Sequence, residues 1–153
     1  TTCMCVQYLE DTVKAGDTVF DIGTGTGILA IAAAKLGASH VTAVDFDGVA
    51  VKQAAVNANL NGVEDKLTIA NSDLLAAIPQ GEKADVVVAN LVTNAVLALL
   101  PTLPPYLKEG STLIASGIID ERIDEVRRAA AAVGFTWADE QFRSGWYAVQ
   151  MKR

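Results

Sequence analysis

Residues 17–27 read Asp17-Thr-Val-Phe-Asp-Ile-Gly-Thr-Gly-Thr-Gly27. The apolar run Val19, Phe20 and Ile22 carries one acid, Asp21, and then breaks into glycines at alternate positions, Gly23, Gly25 and Gly27. The apolar, alanine-rich stretch Ile28–Leu36 follows. This order reads as strand, tight glycine loop, helix. Glycine there lets the backbone turn with positive φ and lets a ligand approach without meeting a Cβ. The loop delivers the chain to a helix N-terminus, whose free N–H groups point at whatever sits beyond them.

The dinucleotide-binding fingerprint, Gly-x-Gly-x-x-Gly/Ala, competes for this stretch. Its last small residue permits close packing of helix on strand. Counted from Gly23, that position holds Ile28, a large β-branched residue. A P-loop is excluded more firmly, since no Gly-Lys-Ser/Thr follows. A glycine loop by itself marks no more than a turn. The next strand adds weight: His40-Val-Thr-Ala-Val-Asp45 is β-rich and ends in an acid. In nucleotide-binding α/β folds an acid at that place accepts hydrogen bonds from ribose hydroxyls.

Asp21-Ile-Gly-Thr-Gly-Thr-Gly27 followed by Ala43-Val-Asp45 resembles class I S-adenosylmethionine-dependent methyltransferases. Four further stretches sharpen the match. They are Gly25-Thr-Gly-Ile-Leu-Ala-Ile-Ala-Ala-Ala-Lys-Leu-Gly-Ala38, Asn57-Ala-Asn-Leu-Asn-Gly-Val63, Val86-Val-Val-Ala-Asn-Leu91 and Ser116-Gly-Ile118. Together they resemble the catalytic domain of the ribosomal protein L-eleven methyltransferase family (PrmA), over nearly the whole chain.

The chain has 153 residues, enough for one domain with a real core. It is 51% apolar and 20% charged, which marks it as globular rather than disordered. No apolar run approaches the length of a membrane span, and no secretory signal pattern opens the chain. It starts at Thr1 without a Met, so a longer parent sequence is expected. Cys3 and Cys5 stand two apart, too close for an unstrained disulfide, and no other Cys or His lies nearby in sequence to complete a metal site. Reduced cysteines on a helix fit a cytoplasmic protein. The net charge of −6 argues against broad nucleic-acid binding, which needs a cationic face. It would suit a basic partner, as ribosomal proteins often are.

Helical and strand patterns alternate along the chain. Apolar residues at helical spacing over Thr2–Val13 predict a first helix, ending at Gly16. Strands are expected at Thr18–Ile22, His40–Asp45, Lys66–Ala70, Ala84–Ala89 and Ser111–Ser116. Helices are expected at Ile28–Leu36, Val49–Leu60 and Asp120–Val133. A helix over Asn94–Leu107 should break at Pro101, Pro104 and Pro105. Phe135–Phe142 and Trp146–Lys152 flank Arg143-Ser144-Gly145 and predict an antiparallel hairpin. Strands that are apolar throughout belong at the centre of a parallel sheet covered on both faces. The class is α/β, doubly wound and Rossmann-like, in one domain. The resemblance implies a seven-stranded sheet, mostly parallel, and the C-terminal hairpin suits its antiparallel end.

In open α/β sheets ligands bind beyond the carboxyl ends of the strands. The residues due there are Gly23–Gly27, Asp45–Asp47, Asn71–Asp73, Asn90–Val92 and Gly117. With S-adenosylmethionine as the implied cofactor, Asp45 suits the ribose diol and Gly23, Gly25 and Gly27 let the methionine part lie against the backbone. Asp21 can attract the cofactor's ammonium group, through water, and orient the loop. Asp73, or Ser72 beside it, is where this class commonly meets the adenine edge; Asp73 can instead cap a helix at Leu74–Ile78. Phe46 can lie against the adenine ring or belong to the core, and Asp47 reads as a helix N-cap. The resemblance adds Thr2, the second of a Thr-Thr pair that contacts the cofactor; at a chain terminus that contact is exposed to fraying.

Asn90 is the catalytic candidate. Amine methylation needs a neutral lone pair aligned with the carbon–sulfur bond. An Asn carbonyl, with a backbone carbonyl such as that of Leu91, can accept the amine's N–H bonds and aim that lone pair. The competing role for Asn90 is a loop cap. Many amino-methylating enzymes have Asn-Pro-Pro-Tyr here, whereas this chain has Asn90-Leu-Val-Thr93, closer to the L-eleven family. His40 precedes a strand, at the wrong end for chemistry. Trp146 can reach the substrate mouth or serve packing.

The resemblance implies methyl transfer to lysine side chains and N-terminal amines of a protein, ribosomal protein L-eleven. The chemistry would be in-line displacement at the sulfonium methyl, driven by positioning. The lysine, normally near pKa ~10.4, must first lose a proton. No dedicated base is visible, which leaves water. Full-length members carry a separate N-terminal substrate-recognition domain that these 153 residues lack. A small-metabolite methyltransferase and a non-catalytic dinucleotide-binding module are the alternatives; Ile28 speaks against the second.

Overall fold

The computed structural model describes residues 1–153. Seven strands form one sheet in the order β3-β2-β1-β4-β5-β7-β6. The parallel part comprises β1 (Thr18–Ile22), β2 (His40–Asp45), β3 (Leu67–Asn71), β4 (Ala84–Asn90) and β5 (Leu107–Ile119). Two antiparallel strands, β6 (Thr136–Arg143) and β7 (Trp146–Lys152), form the terminal hairpin, and β7 pairs with β5. Five helices flank the sheet: α1 (Thr2–Thr12), α2 (Ile28–Lys35), α3 (Gly48–Leu60), α4 (Thr93–Leu99) and α5 (Ile123–Ala132). No helix is long and apolar enough to cross a membrane.

Strand side chains alternate between the two faces of a sheet, and here the alternation separates two cores. Phe20, Ile22, Val87, Ala89, Leu113 and Ala115 face the side covered by α4 and α5, with Val96, Leu99 and Val126 packed on them. Val19, Val86, Val88 and Ile114 face the side covered by α1 and α2, with Leu9, Leu29 and Ala33. The same alternation puts the polar residues Asp21, Asn90 and Ser116 on the α1 side, at the carboxyl ends of their strands.

The helix over residues 94–107 does break at its prolines. α4 stops at Leu99, and two 3₁₀ turns follow, Leu100–Thr102 and Pro104–Tyr106. The fifth strand is longer than Ser111–Ser116. Leu107 pairs with Ala84 and Thr112 with Val86, so Lys108, Glu109 and Gly110 lie in a register irregularity of the ladder and have no partner in β4. No helix forms at residues 74–78: that segment is a series of turns in which Leu74 has φ 49°. The Asp120–Val133 helix begins with a 3₁₀ turn and becomes α-helical at Ile123.

Leaving β1, the chain passes to α2 and β2 on one side; β4 stands on the other. The order therefore reverses between β1 and β4. A crevice opens at such a switch point, beyond the carboxyl ends of the strands.

Candidate functional site

The crevice is a cleft of about 540 Å³, lined among others by Gly23, Asp45, Phe46, Ser72, Asp73, Asn90 and Leu91. Its floor is apolar, from Ile22, Val44, Ala95 and Ala98. A second hollow of about 280 Å³ adjoins it, bounded by Thr1, Asn90, Leu91, Val92, Gly117 and Trp146. Asn90, Leu91 and Val92 line both hollows and form the partition between them.

Two glycines bring the strands close at that partition. A Cβ on Gly23 would lie 2.2 Å from Leu91 Cδ2, and one on Gly117 would lie 2.1 Å from the Leu91 carbonyl oxygen. Gly117 has φ +81° and sits at the irregularity of the β5–β7 pairing between Ser116 and Ile118. Gly25 differs: its φ is +57°, and a Cβ there would meet nothing within 4 Å. That space is open for a ligand.

Asp45 ends β2 half-buried at the cleft. Oδ2 accepts from the Gly25 N–H at 2.8 Å and Oδ1 accepts from the Asp47 N–H at 2.9 Å. An ionised carboxylate has about four acceptor positions, so two main-chain bonds leave capacity for hydroxyl donors. Asp47 is the N-cap of α3, accepting from the Val49 N–H at 2.9 Å.

Asp21 lies beneath the loop, on the α1 and α2 side, and is fully buried. Its Oδ2 accepts from the Thr24 hydroxyl at 2.7 Å, while Oδ1 makes no hydrogen bond of ordinary geometry. Burial pushes its pKa up to about 7; the Thr24 hydroxyl and the Ala30 N–H offset part of this, and the Asp45 carboxylate adds to it.

Asn90 ends β4 inside a chain of side chains. Its Oδ1 accepts from Ser116 Oγ at 2.8 Å and from Thr1 Oγ1 at 3.0 Å. Its Nδ2 faces Thr2 Oγ1 at 3.4 Å. Ser116 Oγ in turn accepts from the Cys5 thiol at 3.0 Å. The first turn of α1 thus closes over the end of β4.

The whole chain, residues 1–153, matches the family model for ribosomal protein L11 methyltransferase (PrmA). The chain belongs to the PrmA family. It is 48% identical over 153 residues to the ribosomal protein L11 methyltransferase of Caldanaerobacter subterraneus subsp. tengcongensis, covering 100% of this chain and 48% of that protein. The corresponding protein of Desulforamulus reducens is 48% identical over 135 residues, which is 88% of this chain and 43% of that protein. The crystal structure of ribosomal protein L11 methylase from Lactobacillus delbrueckii subsp. bulgaricus superposes with a TM-score of 0.95 at 34% identity. The match covers 100% of this chain and 78% of that one. The chain spans about half the length of the curated relatives it matches.

Within this PrmA-family domain the fold brings Gly23, Asp45, Phe46, Asp73 and Asn90 to one cleft, as their places in the sequence suggest. Phe46 is 78% exposed, which removes it from the core and leaves its ring free at the rim. Asp73 is exposed and caps no helix; the turn after β3 is held by Ser72 instead, whose hydroxyl donates to the Leu74 carbonyl and accepts from the Ala77 N–H. The Asp21 carboxylate is buried under the loop and accepts from Thr24 within it. Gly27 is the α2 N-cap, with φ 86°. Thr2 meets Asn90, and so does Thr1, which sequence reasoning passed over. It also missed Ser116 as a partner of Asn90 and Cys5 as the partner of Ser116. The alternation Val86, Val88, Asn90 against Ile114, Ser116 carried that signal.

Proposed function

We propose that this domain transfers methyl groups from S-adenosylmethionine to lysine and N-terminal amines of a protein, ribosomal protein L11. The observation that carries the reading is the partition: Asn90 and Leu91 line a large cleft on one side and a small hollow on the other. A methyl donor in the first and an amine in the second would meet across the Asn90 amide.

The residues fit the donor. Open space over Gly25 accommodates its amino-acid part, and Asp45 has acceptor capacity for a ribose diol. Ser72, Asp73 and Phe46 offer polar edges and an aromatic face for adenine. Bound there, S-adenosylmethionine supplies an electrophilic methyl group. Asn90 Oδ1 and the Leu91 carbonyl accept N–H bonds from the amine and so direct its lone pair. Asp21 stiffens the loop through Thr24. We assign no base in the protein, and water takes the lysine proton before attack. Recognition of the protein acceptor belongs, in this reading, to a separate domain, and the reaction to the cytoplasm.

Binding calorimetry and methyl transfer test the reading together. S-adenosylmethionine and S-adenosylhomocysteine should bind while NAD does not, and label from the methyl donor should enter amines of purified L11. NAD binding without S-adenosylhomocysteine binding would overturn the donor assignment. Cofactor binding with label entering only small amines would overturn the acceptor.

A further inference from the structure

We propose that Ser116 is a positioning residue for methyl transfer, its hydroxyl holding the Asn90 amide with Oδ1 rather than Nδ2 toward the acceptor. The inference rests on the proposed role of Asn90. The two ends of an asparagine amide have nearly the same shape and opposite hydrogen-bonding chemistry: oxygen accepts, nitrogen donates. Packing alone does not choose between them; partners do.

Ser116 stands directly opposite Asn90 in the β4–β5 ladder and is fully buried. A hydroxyl has one proton to give and two lone pairs. One lone pair receives the Cys5 thiol at 3.0 Å. Burial pushes the Cys5 pKa up to about 11, so the thiol keeps its proton and remains a donor. The Ser116 proton is thereby directed to Asn90 Oδ1, 2.8 Å away.

Turning the amide by 180° would bring Nδ2 against Ser116 Oγ. The hydroxyl would then accept from Nδ2 and have only the Cys5 sulfur, a weak acceptor, left for its own proton in place of the Asn90 amide oxygen. The direction Cys5 to Ser116 to Asn90 is therefore the stronger of the two arrangements and holds the amide with Oδ1 toward Ser116. The remaining acceptor position on Oδ1 points outward, where Thr1 Oγ1 occupies it at 3.0 Å beside the smaller hollow. An incoming amine takes that position by displacing the Thr1 hydroxyl. With Ser116 absent, the amide is free to present N–H groups to an amine that needs acceptors.

The test compares the 153-residue chain with Ser116→Ala and Ser116→Thr. Three readouts are needed: cofactor affinity, single-turnover methyl transfer to L11, and the side-chain amide resonances of Asn90. Ser116→Ala should bind S-adenosylhomocysteine within about twofold of the parent yet transfer methyl ten- to a hundredfold more slowly, the scale of a misaligned acceptor. Ser116→Thr, which keeps the hydroxyl, should recover most of the rate. In Ser116→Ala the Asn90 amide resonances should move toward those of a free side chain, and in Ser116→Thr they should not. A parental rate in Ser116→Ala overturns the proposal. So do equal losses in both variants, which would mean packing alone. If the 153-residue chain binds cofactor but does not methylate L11, transfer needs the separate recognition domain. The amide resonances still decide the role of Ser116 in that case, because unchanged resonances in Ser116→Ala overturn it.

Discussion

The N–H of Gly25 donates to Asp45 Oδ2 at 2.8 Å, joining the glycine loop to the strand end twenty residues on. Neither residue has its full meaning without the other. The loop is shaped by positive-φ glycines, but its position over the cleft is set by an acid on the neighbouring strand. That acid is held in turn by the Asp47 N–H, at the start of α3. A ligand that bonds to Asp45 and lies along Gly25 therefore meets one preassembled wall.

Asp45→Ala should weaken S-adenosylhomocysteine binding by about 1.5–3 kcal/mol, the size of a hydrogen bond to a charged group. The fold should survive. Asp45 is half-exposed, so water can replace it at the freed N–H groups of Gly25 and Asp47. Calorimetry gives the affinity and a thermal melt gives the fold. An unchanged dissociation constant would remove Asp45 from the site.

Gly25→Ala separates backbone cost from ligand cost. An alanine at φ +57° is strained by roughly 1–2 kcal/mol, but its Cβ meets no protein atom within 4 Å. Stability in urea should fall by about that amount, while cofactor affinity should fall further because the methyl group enters the ligand's space. Equal affinity in the variant would place the ligand away from this loop.

Gly117→Ala should behave in the opposite way. Its Cβ would lie 2.1 Å from the Leu91 oxygen and 2.9 Å from the Leu91 carbonyl carbon, both main chain. No side-chain rotation relieves that contact, so β4 and β5 must shift. With the added strain at φ +81°, the loss in urea unfolding should exceed about 2 kcal/mol.

Much of this was legible in the sequence, for reasons that differ from place to place. β1, β2 and β7 have the residues read from their patterns, because apolar runs bounded by glycine, proline or acids leave little choice of ends. Asp45 and Asn90 were legible because each is a polar residue closing a buried strand. The start of β5 was not, since Lys108-Glu109-Gly110 has turn composition and only the Leu107–Ala84 pairing beyond it extends the strand. The full burial of Asp21 beneath the glycine loop was not legible either, because it arises from packing rather than local pattern. The links from Ser116 to Cys5 and Asn90 span 111 and 26 positions of chain, and arise from sheet order rather than local pattern.

The burial of Asp21 predicts a pH effect on stability. Its folded pKa is raised from the ordinary carboxylate value to about 7, so the folded state holds the proton more tightly than the unfolded chain. The stability that this proton brings is complete below the unfolded pKa and is lost as pH rises toward 7. Asp21→Asn removes this dependence while keeping a side-chain oxygen for Thr24. Between pH 4 and pH 7 the stability of the variant relative to the parent should rise with pH. Parallel melting curves for the two proteins across that range would refute the assignment.

Asn90→Ala should lower the rate of methyl transfer to L11 by at least about tenfold, with cofactor affinity within about twofold. The amide acts on the acceptor, and most of the cleft surface comes from other residues. Asn90→Asp is the sharper variant. It keeps an oxygen toward Ser116 and Thr1 but adds a negative charge and loses the donor to Thr2. A carboxylate beside the acceptor favours the protonated ammonium, which has no lone pair to attack with. Asn90→Asp should therefore bind the acceptor at least as well as the parent but react more slowly at neutral pH, and its rate should need a higher pH to reach its plateau. Single-turnover transfer at saturating cofactor, followed from pH 7 to pH 10, reads both effects. A parental rate in Asn90→Ala would make Asn90 a structural cap of β4 and withdraw it from the chemistry.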